Sequence, residues 1–196
     1  MLIGLTGLFG SGKSEIANVW HKLGAYIISA DEIGREVVES DTVILYQLIL
    51  EFGPTILDKD KRLNRRQLGR LAFSCEDNTK KLNAIVHPML LRRLNNRIKE
   101  VRQKKSITVI DAALLINWNL HRKMDYTVLV SSTRSNRYAR LKMNGFSMEE
   151  IRARTRSQFS EGKLRRGVDC IITNNKDLKS LRKRAQILYS QLTERG

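Results

Sequence analysis

A mostly parallel, doubly wound α/β sheet is the architecture that three features of this 196-residue chain predict. Short apolar runs alternate with segments of helical period. A glycine-rich turn follows the first apolar run directly. No repeat and no Pro-, Gly- or Ser-rich linker divides the chain. Strands buried on both faces read as continuous apolar runs, and helices between them make the pairing parallel.

In chain order, Leu2-Ile3-Gly4-Leu5-Thr6 reads as a buried strand, followed by the turn and a helix from Lys13 to Leu23 that Gly24 stops. Tyr26–Ser29 reads as a second strand, leading to Asp31 and a helix through Val38, and Thr42–Glu51 continues with helical period. Arg65–Phe73 and Asp77–Val86 are expected helices; Pro88 is expected to break the second and open a new helix through Arg102. Ile107–Asp111 and Tyr126–Val130 are apolar strands. Helices near Thr133–Met143 and Met148–Phe159, a last strand Cys170–Ile172 and a helix over Leu178–Thr193 complete the pattern. In such sheets ligands sit at the carboxyl ends of the strands. The first turn, Asp31 and Asp111 all fall there.

The net charge of +16 is unevenly spread. Residues 1–58 carry 3 basic and 8 acidic side chains, a net of −5, and 106–130 are balanced. Residues 59–105 carry 15 and 4, a net of +11, and residues 131–166 carry 10 and 3, a net of +7. Residues 167–196 add +3. The expected organisation is therefore one domain: a core of about 1–58, 106–130 and 167–196, a helical substrate-binding insertion at 59–105 and a helical lid at 131–166. Basic blocks attract polyanions, whether nucleic acid, acidic lipid or phosphorylated metabolites, and a solvated basic surface has the same composition. No apolar run nears the ~18 residues that cross a bilayer, and Met1-Leu2-Ile3-Gly4 lacks the features of a secretory signal. Cys75 and Cys170 show no metal or disulfide spacing. A cytoplasmic protein without a membrane partner is expected.

Gly7-Leu8-Phe9-Gly10-Ser11-Gly12-Lys13-Ser14 matches G-x-x-x-x-G-K-S without a mismatch. The glycines let main-chain N–H groups approach phosphate oxygens, and the following helix aims its positive end at the same anion. Lys13 suits the β- and γ-phosphates, and the Ser14 hydroxyl suits Mg²⁺. Strand and helix flank the motif as that mechanism requires, so this is a P-loop NTPase-type sheet that binds a nucleoside triphosphate. No N-K-x-D guanine reader occurs, and a small P-loop chain with basic inserts points to phosphoryl transfer onto a metabolite.

Further segments, in order, are Ala30-Asp31-Glu32-Ile33, Phe52-Gly53, Leu63-Asn64-Arg65, Leu82-Asn83-Ala84-Ile85-Val86-His87-Pro88, Asp111-Ala112-Ala113-Leu114-Leu115 and Asn174-Asn175. With the P-loop, this series resembles the dephospho-CoA kinases over nearly the whole chain. The resemblance implies transfer of the ATP γ-phosphoryl to the ribose 3′-hydroxyl of dephospho-CoA, the last step of coenzyme A biosynthesis, with Mg²⁺ accompanying ATP. It also implies ATP binding by Gly10, Ser11, Gly12, Lys13, Ser14 and Glu15, and catalysis by Lys13, Asp31 and Arg140. Asp31, Arg65 and His87 would line the substrate side, and Ser14 and Asp111 the metal. Chemistry alone leaves alternatives: Asp31 also suits a helix N-cap, Asp111 a strand-end cap, His87 a structural ring, and Arg140 a solvated stripe with Arg134 and Arg137.

The sequence departs from the family pattern at Leu8 and Glu15, at Ala113 and Asn117, at Arg137, where glutamine is common, and at Asn144, where a second arginine is expected. Lys176 stands where glycine often follows the asparagine pair. Rival readings are another nucleoside or nucleotide kinase, a degenerate homologue with slow turnover, and a nucleic-acid-binding protein using ATP as a switch. The last lacks interleaved aromatics, which total 6%, so no stable nucleic-acid partner is expected; the oligomeric state stays open, with a monomer favoured.

Overall fold

The computed structural model describes residues 1–103, 106–156 and 158–194; Ser157, within the helix expected over Met148–Phe159, lies outside them. Five strands form one sheet in the order β2-β3-β1-β4-β5: β1 (Leu2–Gly7), β2 (Tyr26–Ser29), β3 (Thr108–Asp111), β4 (Tyr126–Ser131) and β5 (Cys170–Thr173). Every pairing is parallel, as continuous apolar runs require. All six β1 residues are buried. The register sets Leu5 opposite Asp111, Asp111 opposite Ser29, and Gly7 opposite Val130, so the turn after β1, the start of the helix after β2 and the end of β3 open onto one edge.

Two apolar layers cover the sheet. On one face Ile16 and Trp20 of α1 (Lys13–Lys22) pack with Leu181, Ala185 and Leu188 of α9 (Leu178–Thr193) against β1 and β4. Trp20 is fully buried and its indole N–H donates to the Ala185 carbonyl at 2.8 Å, so the one polar atom of a large apolar side chain is satisfied. On the other face lie α2 (Ala30–Ser40), α3 (Thr42–Phe52), α4 (Arg65–Ala72) and α5 (Glu76–Arg102). Helices α6 (Arg134–Met143), α7 (Met148–Arg156) and α8 (Glu161–Arg165) follow β4; the short α8 was not anticipated.

The expected break at Pro88 does not occur, because α5 continues through it for 27 residues. An internal proline costs about 3 kcal/mol through a lost hydrogen bond and a clash with the preceding turn. Val86 before it, and Leu90, Leu94, Ile98 and Val101 after it, are all buried in one core. Each such burial is worth roughly 1.5–3 kcal/mol, so tertiary packing outweighs the local penalty.

Candidate active site

The turn after β1 is built for an anion. Gly10 and Gly12 adopt φ of 80° and 95°, the left-handed region that side chains avoid. Space is as restrictive as conformation. A Cβ on Gly10 would meet Leu141 at 2.9 Å, and one on Gly12 would collide with the Asn174 amide. Gly12 caps α1 without any side-chain hydrogen bond, so the first N–H groups of that helix are left for a ligand.

The rest of the chain fixes this loop from outside. Asn174, after β5, donates from Nδ2 to the Ser11 carbonyl at 2.8 Å, and Gln158 accepts from the Phe9 N–H at 2.8 Å. Arg137, 5% exposed, donates to the Phe9 carbonyl at 3.2 Å. Arg140 donates to the Gly10 carbonyl at 3.4 Å, to Ser132 Oγ at 3.1 Å and to the Asn174 carbonyl at 2.8 Å. Arg137 and Arg140 therefore belong to the loop's mounting and not to a solvated stripe. Burial pushes the pKa of both down. The roles of Arg137 and Asn174 as loop braces were not legible in the sequence, since both bonds join segments more than 100 residues apart.

Lys13 and Asp111 form an ion pair below the loop, and Asp111 is 7% exposed. Burial pushes the Asp111 carboxyl up, Lys13 opposes that, and the Asp31 and Glu32 carboxylates add to it. Ser14, Ser29, Asp31, Glu32 and Asp111 line a cavity of about 450 Å³ on this side. Its donors are hydroxyl and carboxylate oxygens, the set that suits a hard cation such as Mg²⁺. Among the described residues no three His, Cys, Asp or Glu side chains form a ready cage. Mg²⁺ ordinarily takes one or two protein ligands together with phosphate oxygens and water, so Ser14 and Asp111 fit it. Glu15 turns away: its carboxylate accepts from Arg182 Nε on α9 at 2.6 Å, and only its main chain belongs to the loop.

Asp31 is not spent as an N-cap. That role falls to Ser29, whose hydroxyl accepts the Glu32 N–H at 3.2 Å. Asp31 stands in the first turn of α2 and lines a second cavity of about 480 Å³, shared with Phe9, Arg65, His87, Arg154 and Gln158. It is thus common to both cavities. Arg65 opens α4 beside the N-cap Asn64 and pairs with Glu39 on α2. His87 lies within α5 and not at a helix entrance; its ring meets Trp118 edge-on at 5.1 Å.

Burial holds the His87 pKa below its ordinary 6.5. The unfolded chain therefore binds this proton more readily, and the stability His87 contributes is present above pH 6.5 and lost as the pH falls below it. His87→Gln is expected to lose less melting temperature than the parent between pH 7.5 and about 5.5. Parallel thermal melts of the two would show it.

Residues 1–180 match the sequence model of a family described as dephospho-CoA kinase. A dephospho-CoA kinase of Thermobifida fusca is 36% identical over 194 residues, covering 98% of this chain and 96% of its own. A Thermus thermophilus crystal structure superposes with a TM-score of 0.75 at 28% identity, over 98% of this chain and 97% of that one. A dephospho-CoA kinase from Campylobacter jejuni shares the fold, with a TM-score of 0.67 at 20% identity over 97% and 96%. Among the described residues no helix is long and apolar enough to cross a membrane.

Proposed function

This chain belongs to the dephospho-CoA kinase family, an ATP-dependent phosphotransferase family, and we propose how its residues divide the work of that reaction. One observation carries the reading: Asp31 lines the cavity on the P-loop side and the cavity of the helical insertion alike. A carboxylate in that position faces the γ-phosphate and the acceptor hydroxyl together.

Asp31 orients the ribose 3′-hydroxyl and accepts its proton while the new O–Pγ bond forms and the Pγ–O bond to the β-phosphate breaks, releasing ADP. Lys13 exchanges the Asp111 carboxylate for β- and γ-phosphate oxygens. Main-chain N–H groups of Gly10, Gly12, Lys13 and Ser14 hold the triphosphate, while those of Ser11 and Glu15 donate to the Leu8 and Gly12 carbonyls at 2.9 Å and 3.1 Å and shape the loop around it. Ser14 and Asp111 would hold Mg²⁺, which when bound would supply charge neutralisation at the phosphates. Arg140 adds positive charge at the rim of the loop, where its guanidinium already meets Gly10. Arg65 and His87 line the acceptor side. In-line transfer needs positioning and charge more than covalent chemistry, and these residues supply both.

The insertion at 59–105 serves the acceptor and the segment at 131–166 serves as the lid, so the two basic blocks face phosphate groups rather than nucleic acid. Loop, carboxylate and lid come from one chain, which suits a monomer, and the expected location is the cytoplasm. The test is a panel of acceptors supplied with ATP and read as ADP release. Turnover with dephospho-CoA should exceed that with nucleosides and nucleoside monophosphates by at least about a hundredfold in kcat/KM, with the product carrying a 3′-phosphate. Preference for a nucleoside would overturn the reading.

A further inference from the structure

The reacting 3′-hydroxyl and the adenine of dephospho-CoA are carried by one ribose ring. With that hydroxyl at Asp31, the base lies within the same cavity of about 480 Å³, whereas the pantetheine arm leaves from the 5′ side through two phosphates. A cavity of this size encloses a small ligand, and its apolar and aromatic walls take most of the contact. Among the described residues, four side chains with flat rings line it: Phe9, Phe73, His87 and Trp118. Two of them already serve a cation. The Arg154 guanidinium, on α7, sits over Phe73 at 4.2 Å and Phe9 at 5.2 Å, and Phe146 at 5.1 Å completes a three-ring cage. Trp118 and His87 form a separate pair.

Trp118 stands on the turn that follows β3 and Asp111. Its main-chain N–H donates to the Leu114 carbonyl at 3.0 Å, and the next N–H, of Asn119, donates to the Ile116 carbonyl at 3.0 Å, so the turn is held by its own hydrogen bonds. The indole is partly buried against the core that α2, α3, α4 and α5 build on this face of the sheet, and it also lines the cavity. His87 meets it edge-on, with 5.1 Å between ring centroids and 85° between planes. Such a contact uses the edge of one ring and a single face of the other. At least one face of the indole is therefore not covered by His87, while the orientation of its plane is set. Trp20, by contrast, is wholly buried in the core on the opposite face of the sheet.

We propose that Trp118 is a specificity-determining residue of this chain, the platform on which the adenine of dephospho-CoA stacks, with His87 as the positioning residue that holds the indole plane. This inference rests on the reading of Asp31 given above and names the surface that receives the base of the same nucleoside. An indole face gains dispersion contacts from any heteroaromatic base, so Trp118 selects an acceptor that carries a base over one that does not. The base takes no part in the transfer, and its stacking is equal in the ground and transition states. Trp118 therefore governs KM for dephospho-CoA and leaves kcat nearly untouched.

The experiment combines tryptophan fluorescence with steady-state kinetics on the parent, Trp118→Leu and Trp118→Phe. Dephospho-CoA should quench the parent's emission, and 4′-phosphopantetheine, the same arm without the adenosine, should not. Trp20, fully buried elsewhere, supplies a constant background. Trp118→Leu is expected to lose the quench and to raise KM for dephospho-CoA by about 10- to 100-fold, with kcat and KM for ATP within about threefold. Trp118→Phe, which keeps a ring, should fall between Trp118→Leu and the parent. A KM for dephospho-CoA within about twofold of the parent's in folded Trp118→Leu overturns the proposal. So does a quench that survives in that variant, an equal quench by 4′-phosphopantetheine, or a fall in kcat with KM unchanged. If neither variant folds, the parent titration decides, and the absence of a quench by dephospho-CoA overturns the proposal. The two readings fail separately. If the parent does not turn over dephospho-CoA, the reading of the acceptor site falls and this inference with it. If the parent turns it over and Trp118→Leu behaves like the parent, the role of Trp118 alone falls.

Discussion

Replacing Lys13 with alanine lowers kcat/KM by at least about a thousandfold, roughly 4 kcal/mol of transition-state stabilisation. The size of the effect follows from what Lys13 touches. Its side chain is 11% exposed and pairs with Asp111, which is itself desolvated at the end of β3. Without the ammonium, the cradle loses the side-chain cation that pairs with Asp111 at the end of β3. The Asp111 carboxyl, already pushed up by burial and relieved of its one favourable neighbour, is driven further toward its protonated form. One substitution thus weakens both the phosphate cradle and the carboxylate assigned to Mg²⁺. Steady-state kinetics with a calorimetric ATP titration check it, and ATP affinity should fall by about tenfold or more. An unchanged melting temperature would place the loss in function rather than in folding.

Asp31→Asn has the opposite signature. The expected kcat is lower by more than about a hundredfold, equivalent to about 2.7 kcal/mol, while the dissociation constant for ATP stays within about threefold. Asparagine keeps the shape and loses the proton acceptor. Because Ser29 is the N-cap of α2, the substitution leaves that helix start intact; it removes the helix-dipole interaction of a first-turn carboxylate, about 0.3–1 kcal/mol, and the repulsion Asp31 exerts on Asp111. Chemistry and folding are therefore separable at this position. Near-normal turnover by this variant would remove Asp31 from the reaction.

The fold and the phosphate loop were legible in the sequence for different reasons. Continuous apolar runs such as Leu2–Thr6 and Tyr126–Val130 specify strands buried on both faces, and parallel pairing follows from the helices between them. The loop is a local device: positive φ at Gly10 and Gly12 demands glycine at those positions, and the demand shows in the sequence itself. Pro88 was misread because its penalty is local whereas the compensation, buried Val86 through Val101, is tertiary. His87, next to Pro88, lies within α5 for the same reason. The bracing of the loop by Arg137, Asn174 and Gln158, and the cage around Arg154, were hidden because each joins residues distant along the chain. Phe9, Phe73 and Phe146 carry no shared spacing from which a common partner would be guessed. Glu15 shows the converse: a residue next to a phosphate motif whose side chain belongs to an ion pair with another helix.

The most direct measurement is a crystal structure with a non-hydrolysable ATP analogue, Mg²⁺ and dephospho-CoA bound together. The account predicts an Asp31 carboxylate oxygen within about 2.6–3.2 Å of the ribose 3′-hydroxyl, with that hydroxyl in line with the γ-phosphorus above Lys13. A carboxylate turned back along α2, with the hydroxyl met by another group, would contradict it.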